Sequence, residues 1–283
     1  MKPRIVTKIN DARQAVSDAR LAGQTIGLVP TMGALHAGHT SLMKAASEQS
    51  DFIVVSIFVN PTQFGPNEDL ARYPRSLERD VEKCEAHGVD LVFAPPATEI
   101  YPADFRTYVE VTQLQDVLCG PSRPGHFRGV ATVVLKLFNI VHPDLAFFGQ
   151  KDAQQVRIIE QMVCDLDLTV QIVVCPIVRE PDGLALSSRN AYLDKDQRQQ
   201  ATVLFQSLQD AAQRAQAGER SANALIQAIR QRIEAIPGAR LEYAAVVDAD
   251  SLQALERIQD RVLIALAVWF GVTRLIDNVV LNV

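Results

Sequence analysis

No apolar stretch in the 283-residue chain approaches the roughly 18 residues of a membrane span, so an ordinary transmembrane helix is excluded. The chain has no excess of basic residues either. Its 28 Lys and Arg face 33 Asp and Glu, a net charge of -5, which is not the footprint of a general nucleic-acid binder. A polyanionic ligand would therefore have to be met by local groups. The four cysteines, Cys84, Cys119, Cys164 and Cys175, form no CxxC pair and no metal-ligand spacing. They read as reduced thiols. Met1-Lys2-Pro3-Arg4 leads into a mixed helical pattern and not into the apolar core of a signal peptide, so the chain reads as cytoplasmic. Repeats, low-complexity tracts and a Ser-His-Asp or Cys-His arrangement are also missing.

The chain is 48% hydrophobic, enough for a sizeable core. Apolar runs alternate with helical patterns. Strands are predicted at Thr25 to Val29, Phe52 to Val59, Leu91 to Ala94, Leu145 to Phe148 and Val170 to Val178. Between them fall helices at Thr40 to Ser50, from Pro74 towards Gly88, at Val130 to Val141 and at Ala153 to Asp165. Continuous β-branched runs suit strands buried on both faces, and short connections imply parallel pairing with right-handed crossovers. The fold class is therefore α/β, with a doubly wound, Rossmann-like parallel sheet over residues 1–179. Beyond about Arg179, long Gln- and Arg-rich helices at Asp194 to Ala217 and Ala222 to Ala235 precede strands at Glu242 to Val247, Arg261 to Val268 and Thr273 to Asn278. Residues 180–283 are expected to form a smaller α+β domain acting as a lid.

The strongest local signal is Pro30-Thr31-Met32-Gly33-Ala34-Leu35-His36-Ala37-Gly38-His39. It joins the first predicted strand of the sheet to its helix, where open α/β sheets bind ligands. Glycines permit close backbone approach, and a helix N-terminus favours anions. Two histidines there can donate to phosphates, although two surface histidines on a tight turn would give the same letters. Phe148-Gly149-Gln150-Lys151-Asp152 ends another strand. Lys151 offers a point charge, and Asp152 can cap the next helix. Leu186-Ser187-Ser188-Arg189-Asn190, at the domain junction, sets two hydroxyls beside a guanidinium; a serine-rich linker is the plain alternative. Asn60 and Gln63 flank Pro61, which should stiffen their loop. Arg123, His126 and Arg128 make a basic loop.

The HxGH pattern resembles the nucleotidylyl-transferase superfamily. Together with Val59-Asn60-Pro61-Thr62-Gln63-Phe64, Ala71-Arg72-Tyr73-Pro74-Arg75, Arg123-Pro124-Gly125-His126-Phe127-Arg128-Gly129, the Lys151 and Ser187 motifs and Arg274-Leu275-Ile276-Asp277-Asn278, the chain resembles the pantothenate synthetase (pantoate–β-alanine ligase) family over nearly its whole length. The resemblance implies ATP-dependent condensation of pantoate with β-alanine through a pantoyl adenylate, with Mg2+, in a homodimer formed through the N-terminal domain. It implies catalytic roles for His36, His39 and Lys151. ATP would be bound by Met32, Gly33, His36, His39, Gly149, Lys151, Asp152, Val178, Leu186, Ser187, Ser188 and Arg189. Pantoate would be bound by Gln63 and Gln155, and β-alanine by Gln63. His126 would stand near the pyrophosphate. Two other readings use the same motifs: a simpler nucleotidylyl transferase, and a nucleotide-sensing module without turnover.

Overall fold

A computed structural model describes residues 2–66 and 68–283. The chain divides into two compact units. The first comprises Met1–Gln115, Ser122–Gln150 and Gln155–Pro176; the second comprises Asp116–Pro121, Lys151–Gln154 and Ile177–Val283.

The N-terminal unit is a parallel sheet with helices. In chain order it contains β1 (Arg4–Val6), α1 (Ile9–Leu21), β2 (Ile26–Thr31), α2 (Ala37–Ser47), β3 (Phe52–Ile57), α3 (Leu77–Ala86), β4 (Leu91–Phe93), α4 (Ala97–Ile100), α5 (His126–Val141), β5 (Leu145–Gly149), α6 (Ala153–Asp165, from Gln155 onward) and β6 (Gln171–Cys175). The six strands lie in the order β1-β4-β3-β2-β5-β6. The chain winds outward from β2 through β3 and β4, then returns to place β5 on the other side of β2. The strand order reverses there, and the crevice at the carboxyl ends of β2 and β5 is where such sheets take ligands. Leu28, Val29, Val54 and Val55 are fully buried, as strands covered on both faces should be. α5 is apolar nearly all round, and twelve of its sixteen residues are buried.

The C-terminal unit contains α7 (Lys195–Gln200), α8 (Val203–Gln216), α9 (Ala222–Glu234) and the antiparallel sheet β7 (Ala239–Asp248), β8 (Arg261–Phe270) and β9 (Thr273–Asn282). Leu204, Leu208, Leu225, Ile229, Val262, Ile264 and Phe270 meet in its core.

Some elements differ from the sequence reading. The N-terminal residues first form β1, whose three residues pair with Leu91–Phe93 and have too short a pattern to be recognised locally. Pro74 does not open α3; the helix begins after Ser76, with Glu78 and Asp80 in its first turn, where acids suit the helix dipole. The last strand of the large sheet stops at Cys175, because Pro176 has no N–H for the ladder. The single helix predicted over Asp194 to Ala217 is two. The Thr202 hydroxyl donates to the Gln199 carbonyl at 2.9 Å, and the Leu204 N–H turns back to Ala201 at 3.2 Å, which interrupts the α-helical bonding. No described helix is long and apolar enough to cross a membrane.

Candidate functional site

At the end of β2 the chain turns sharply. The Thr31 hydroxyl donates to the Ser56 carbonyl at 2.8 Å and accepts the Gly33 N–H at 3.1 Å. Gly33 has φ +81°, and a Cβ there would lie 3.0 Å from Asp80 Oδ2 and 3.1 Å from Ile57, so both conformation and space require glycine. Ala34 follows at φ 51°. Asp80 secures this left-handed pair. Its carboxylate accepts the Ala34 N–H at 2.9 Å and the Leu35 N–H at 2.8 Å. Lys83, one turn further along α3, donates to the Leu35 carbonyl. Asp80 is 2% exposed. Sequence reading missed it, although it interrupts the apolar stripe of Leu77, Val81 and Cys84 at helical spacing.

The loop delivers two histidines to the first turn of α2, where they cap each other. His36 Nδ1 accepts the Gly38 N–H at 3.1 Å, and His39 Nδ1 accepts the His36 N–H at 3.2 Å. This is a capping box built from imidazoles. The ring centroids lie 4.1 Å apart. A backbone N–H pointing at Nδ1 requires a lone pair there, which puts the ring proton on Nε2 in both residues. Both rings are thereby held as Nε2 donors at a helix N-terminus, a setting that favours anions.

Gln63 is held from two sides. Its Oε1 accepts from Asn60 Nδ2 at 3.0 Å, and its Nε2 approaches the Met32 sulfur at 3.3 Å. Asn60, 1% exposed, is the hub. Its Nδ2 also donates to the Gly129 carbonyl at 3.1 Å, and its Oδ1 accepts from Tyr101 at 2.9 Å and from the Thr62 hydroxyl at 2.9 Å. α5 approaches the Pro61–Gln63 turn so closely that a Cβ on Gly129 would lie 2.4 Å from the Thr62 carbonyl oxygen. Burial pushes the Tyr101 phenol up to about 12, so it stays a donor.

The basic loop differs from expectation. Arg123 forms a two-pronged ion pair with Glu68 at 2.8 and 2.7 Å. Arg123 Nη1 lies 2.8 Å from His126 Nε2, and His126 Nδ1 lies 2.8 Å from the Gln63 carbonyl. Since guanidinium only donates, His126 Nε2 accepts and Nδ1–H donates. His126 is a buried brace on Gln63 and not part of an open cationic cluster. Arg128 lies over Tyr108, 4.9 Å from its ring centre.

On the first turn of α6, Gln155 is half-buried. Its neighbour Gln154 accepts from the Cys119 N–H and thiol and donates to the Val117 carbonyl at 2.7 Å. Gly149 closes β5 in the N-terminal unit.

In the C-terminal unit, Lys151 Nζ lies 3.6 Å from Asp152. The Leu186 N–H donates to the Val178 carbonyl at 3.0 Å, so these two residues close one turn. Ser187 caps the short helix Ser188–Tyr192, its hydroxyl accepting the Arg189 N–H at 3.3 Å. The turn thus presents Ser188 and Arg189 on an ordered segment.

The model of the pantoate–β-alanine ligase family matches residues 4–280. Pantothenate synthetase of Moorella thermoacetica is 57% identical over 279 residues, 99% of each chain. The Roseiflexus enzyme of that name is 56% identical, again over 99% of each chain. Among solved structures, pantothenate synthetase of Thermus thermophilus superimposes with a TM-score of 0.93 at 43% identity, covering 98% of each chain. The Francisella tularensis ligase, solved with β,γ-ATP and β-alanine, has a TM-score of 0.80 at 37% identity, over 98% of this chain and 97% of that one. Resemblance along the whole length, added to a histidine-capped loop at the switch point of a parallel sheet, places this chain in the pantoate–β-alanine ligase family.

Proposed function

We infer that the chain is an ATP-dependent carbon–nitrogen ligase that joins pantoate to β-alanine through a pantoyl adenylate, releasing AMP and pyrophosphate. The observation that carries this reading is the reciprocal histidine cap, which orients two Nε2 donors at the start of α2.

In the first step a pantoate carboxylate oxygen attacks the α-phosphorus, and pyrophosphate leaves with the bonding electrons. His36, His39 and the helix N-terminus stabilise charge on the phosphates, and Lys151 adds a point charge. Groups fixed before reaction cost no reorganisation when charge develops. Met32, Gly33, Gly149, Asp152, Val178 and Leu186 border the nucleotide, and Ser187, Ser188 and Arg189 engage its phosphate chain. Gln63 and Gln155 take pantoate, since an amide both donates and accepts. In the second step the β-alanine amine, guided by Gln63, attacks the acyl carbon and AMP leaves. Adenylation is what makes a carboxylate a usable acyl donor.

Magnesium is proposed to arrive on the phosphates of ATP, where it commonly keeps few protein ligands. Among the described residues no group of three or more His, Cys, Asp or Glu is placed to hold a metal. The ion would neutralise phosphate charge. Residues 180–283 are proposed as a lid that excludes water from the adenylate. Homodimer formation and cytoplasmic residence belong to the same proposal, and sedimentation at micromolar concentration and cell fractionation test them.

The deciding assay supplies ATP, magnesium, pantoate and β-alanine and measures AMP and pyrophosphate. AMP formed only with both organic substrates supports the ligase. A stable dinucleotide would indicate the simpler transferase, and no turnover would indicate a sensor. Labelled pyrophosphate should exchange into ATP when β-alanine is left out, and exchange that requires β-alanine would remove the adenylate.

A further inference from the structure

We propose that Asp277 and Asn278, neighbours on β9, are positioning residues for adenylation: one strand sets both the turn bearing Ser187 to Arg189 and the main chain of Lys151. The proposal rests on the reading of those residues as ATP-phosphate contacts.

Successive residues of a strand point to opposite faces, and one of a polar pair usually reaches solvent. Here both are buried, Asp277 at 2% and Asn278 at 3% exposure. A buried polar group without a partner is costly, so the partners show what the pair is for. Asp277 accepts both prongs of the Arg179 guanidinium, at 2.6 and 2.9 Å, and the Asn278 N–H at 2.8 Å. Arg179 also donates to the Gly183 carbonyl at 3.0 Å and lies 4.5 Å from the centre of the Phe205 ring. Arg179 and Ala185 bridge the turn that ends at Leu186. The ion pair therefore fixes the base of the segment that leads into Ser187. Asn278 Nδ2 donates to the Lys151 carbonyl at 3.0 Å, reaching a residue 127 positions away. Its bond is to the Lys151 backbone, so it sets where that side chain starts.

Fold stability alone is a weak explanation. A buried ion pair typically adds little over a well-packed apolar pair, because desolvation offsets the attraction. What it does give is direction: a two-pronged guanidinium–carboxylate contact allows one orientation. Two adjacent residues aimed at two distant segments, both in the candidate ATP site, are what a shared strut requires.

The test is a double-mutant cycle on the adenylation half-reaction, read as pyrophosphate exchange with ATP, magnesium and pantoate. Asn278→Ala should lower the exchange kcat about tenfold, the scale of a small misplacement of a reacting group, with little change in the KM for pantoate. Pantoyl transfer from supplied pantoyl adenylate to β-alanine should be much less affected. Combined with Lys151→Ala, the losses should not multiply, because Asn278 acts through Lys151. Multiplying losses, or a lowered Tm with unchanged exchange, would overturn the proposal. If Asn278→Ala does not fold, Asn278→Ser keeps a short polar group and takes its place in the cycle. Asp277→Asn should raise the KM for ATP and leave that for pantoate alone; an unchanged KM for ATP removes Asp277 from the strut. Full exchange activity in Lys151→Ala alone is a different outcome. It would sink the phosphate-site reading first, and this proposal with it.

Discussion

The Thr31–His39 loop is held by backbone N–H groups meeting side chains near in sequence, the farthest being Asp80, 46 residues from Ala34. The Val178–Arg189 turn also has local bonds, but its base is anchored by an ion pair spanning 98 residues, from Arg179 to Asp277. Energetics separate the two. A hydrogen bond to a charged group contributes a net ~1.5–3 kcal/mol, and Asp80 takes two such bonds from the backbone. A buried ion pair contributes much less than its Coulomb attraction, since both ions lose water. The first region is thus built to be rigid, which suits its proposed action on the transition state. The second is oriented with little net stabilisation, which suits its proposed adjustment on nucleotide binding.

The largest effect should come from the rigid loop. His36→Ala or His39→Ala removes a preorganised donor, and kcat should fall on the order of 10²–10³-fold, more than the KM for ATP rises. Steady-state kinetics decide, and near wild-type turnover in both variants would erase the contrast. Gln63→Ala should follow, with kcat/KM for pantoate reduced roughly five- to 150-fold, the equivalent of about 1–3 kcal/mol, because a polar substrate group is left unpaired. ATP binding should persist. Gln155→Ala should act in the same direction, and unchanged pantoate kinetics in both would show that the amides point elsewhere.

Asp80→Asn tests the brace itself. An amide turns one acceptor edge into a donor facing a backbone N–H. Denaturant titration should show a loss of about 1–3 kcal/mol. Turnover should fall with it while the KM for ATP moves little. Ser188→Ala with Arg189→Ala should do the reverse and raise the apparent KM for ATP severalfold. Hydrogen exchange over residues 186–190 should slow when ATP and pantoate are added. No protection there would sink the adjustable-segment idea.

What could be read from the sequence follows the same division. β2 to β5 were visible because strands buried on both faces leave unbroken apolar runs. β6 was visible from its β-branched run, although it is a half-buried edge strand. The α/β class followed from the alternation of these strands with helices. The histidines and Gly33 were visible because a strand–turn–helix is a local object. β1 was not, since three residues become a strand only by pairing with β4. Asp80 left a faint trace, a charge inside an apolar helical stripe. Asp277 stood in the Arg274–Asn278 motif, but its pairing with Arg179 left no trace, since only the fold joins the two. Arg123 and His126 suggested open positive charge until Glu68 was seen to engage the arginine.

The smallest effect concerns alkali, and it probes the rigid region from behind. Cys84 lies on α3 one turn after Asp80 and is fully buried. Burial, with the Asp80 charge adding to it, pushes its thiol from 9.0 up to about 12. In the unfolded chain the thiol ionises near its ordinary value, so above pH 9.0 the folded state binds more protons than the unfolded one. Stability linked to Cys84 is therefore whole below that pH, declines as pH rises, and stops changing beyond about 12. Denaturant melts across the lower part of this window should show a negative slope, shallower in Cys84→Ala. Cys175, also raised by burial, and Tyr101, whose ordinary value is 10.0, should keep some slope in place. Asp80→Asn removes the neighbouring charge, so the Cys84 thiol should ionise at lower pH and the window should narrow. Alkylation gives an independent readout: exposed Cys164 should react while Cys84 stays protected in the folded state. An unchanged slope in Cys84→Ala, with Cys84 alkylated as fast as Cys164, would mean that α3 opens readily. The loop it braces could then not be the rigid member of the pair.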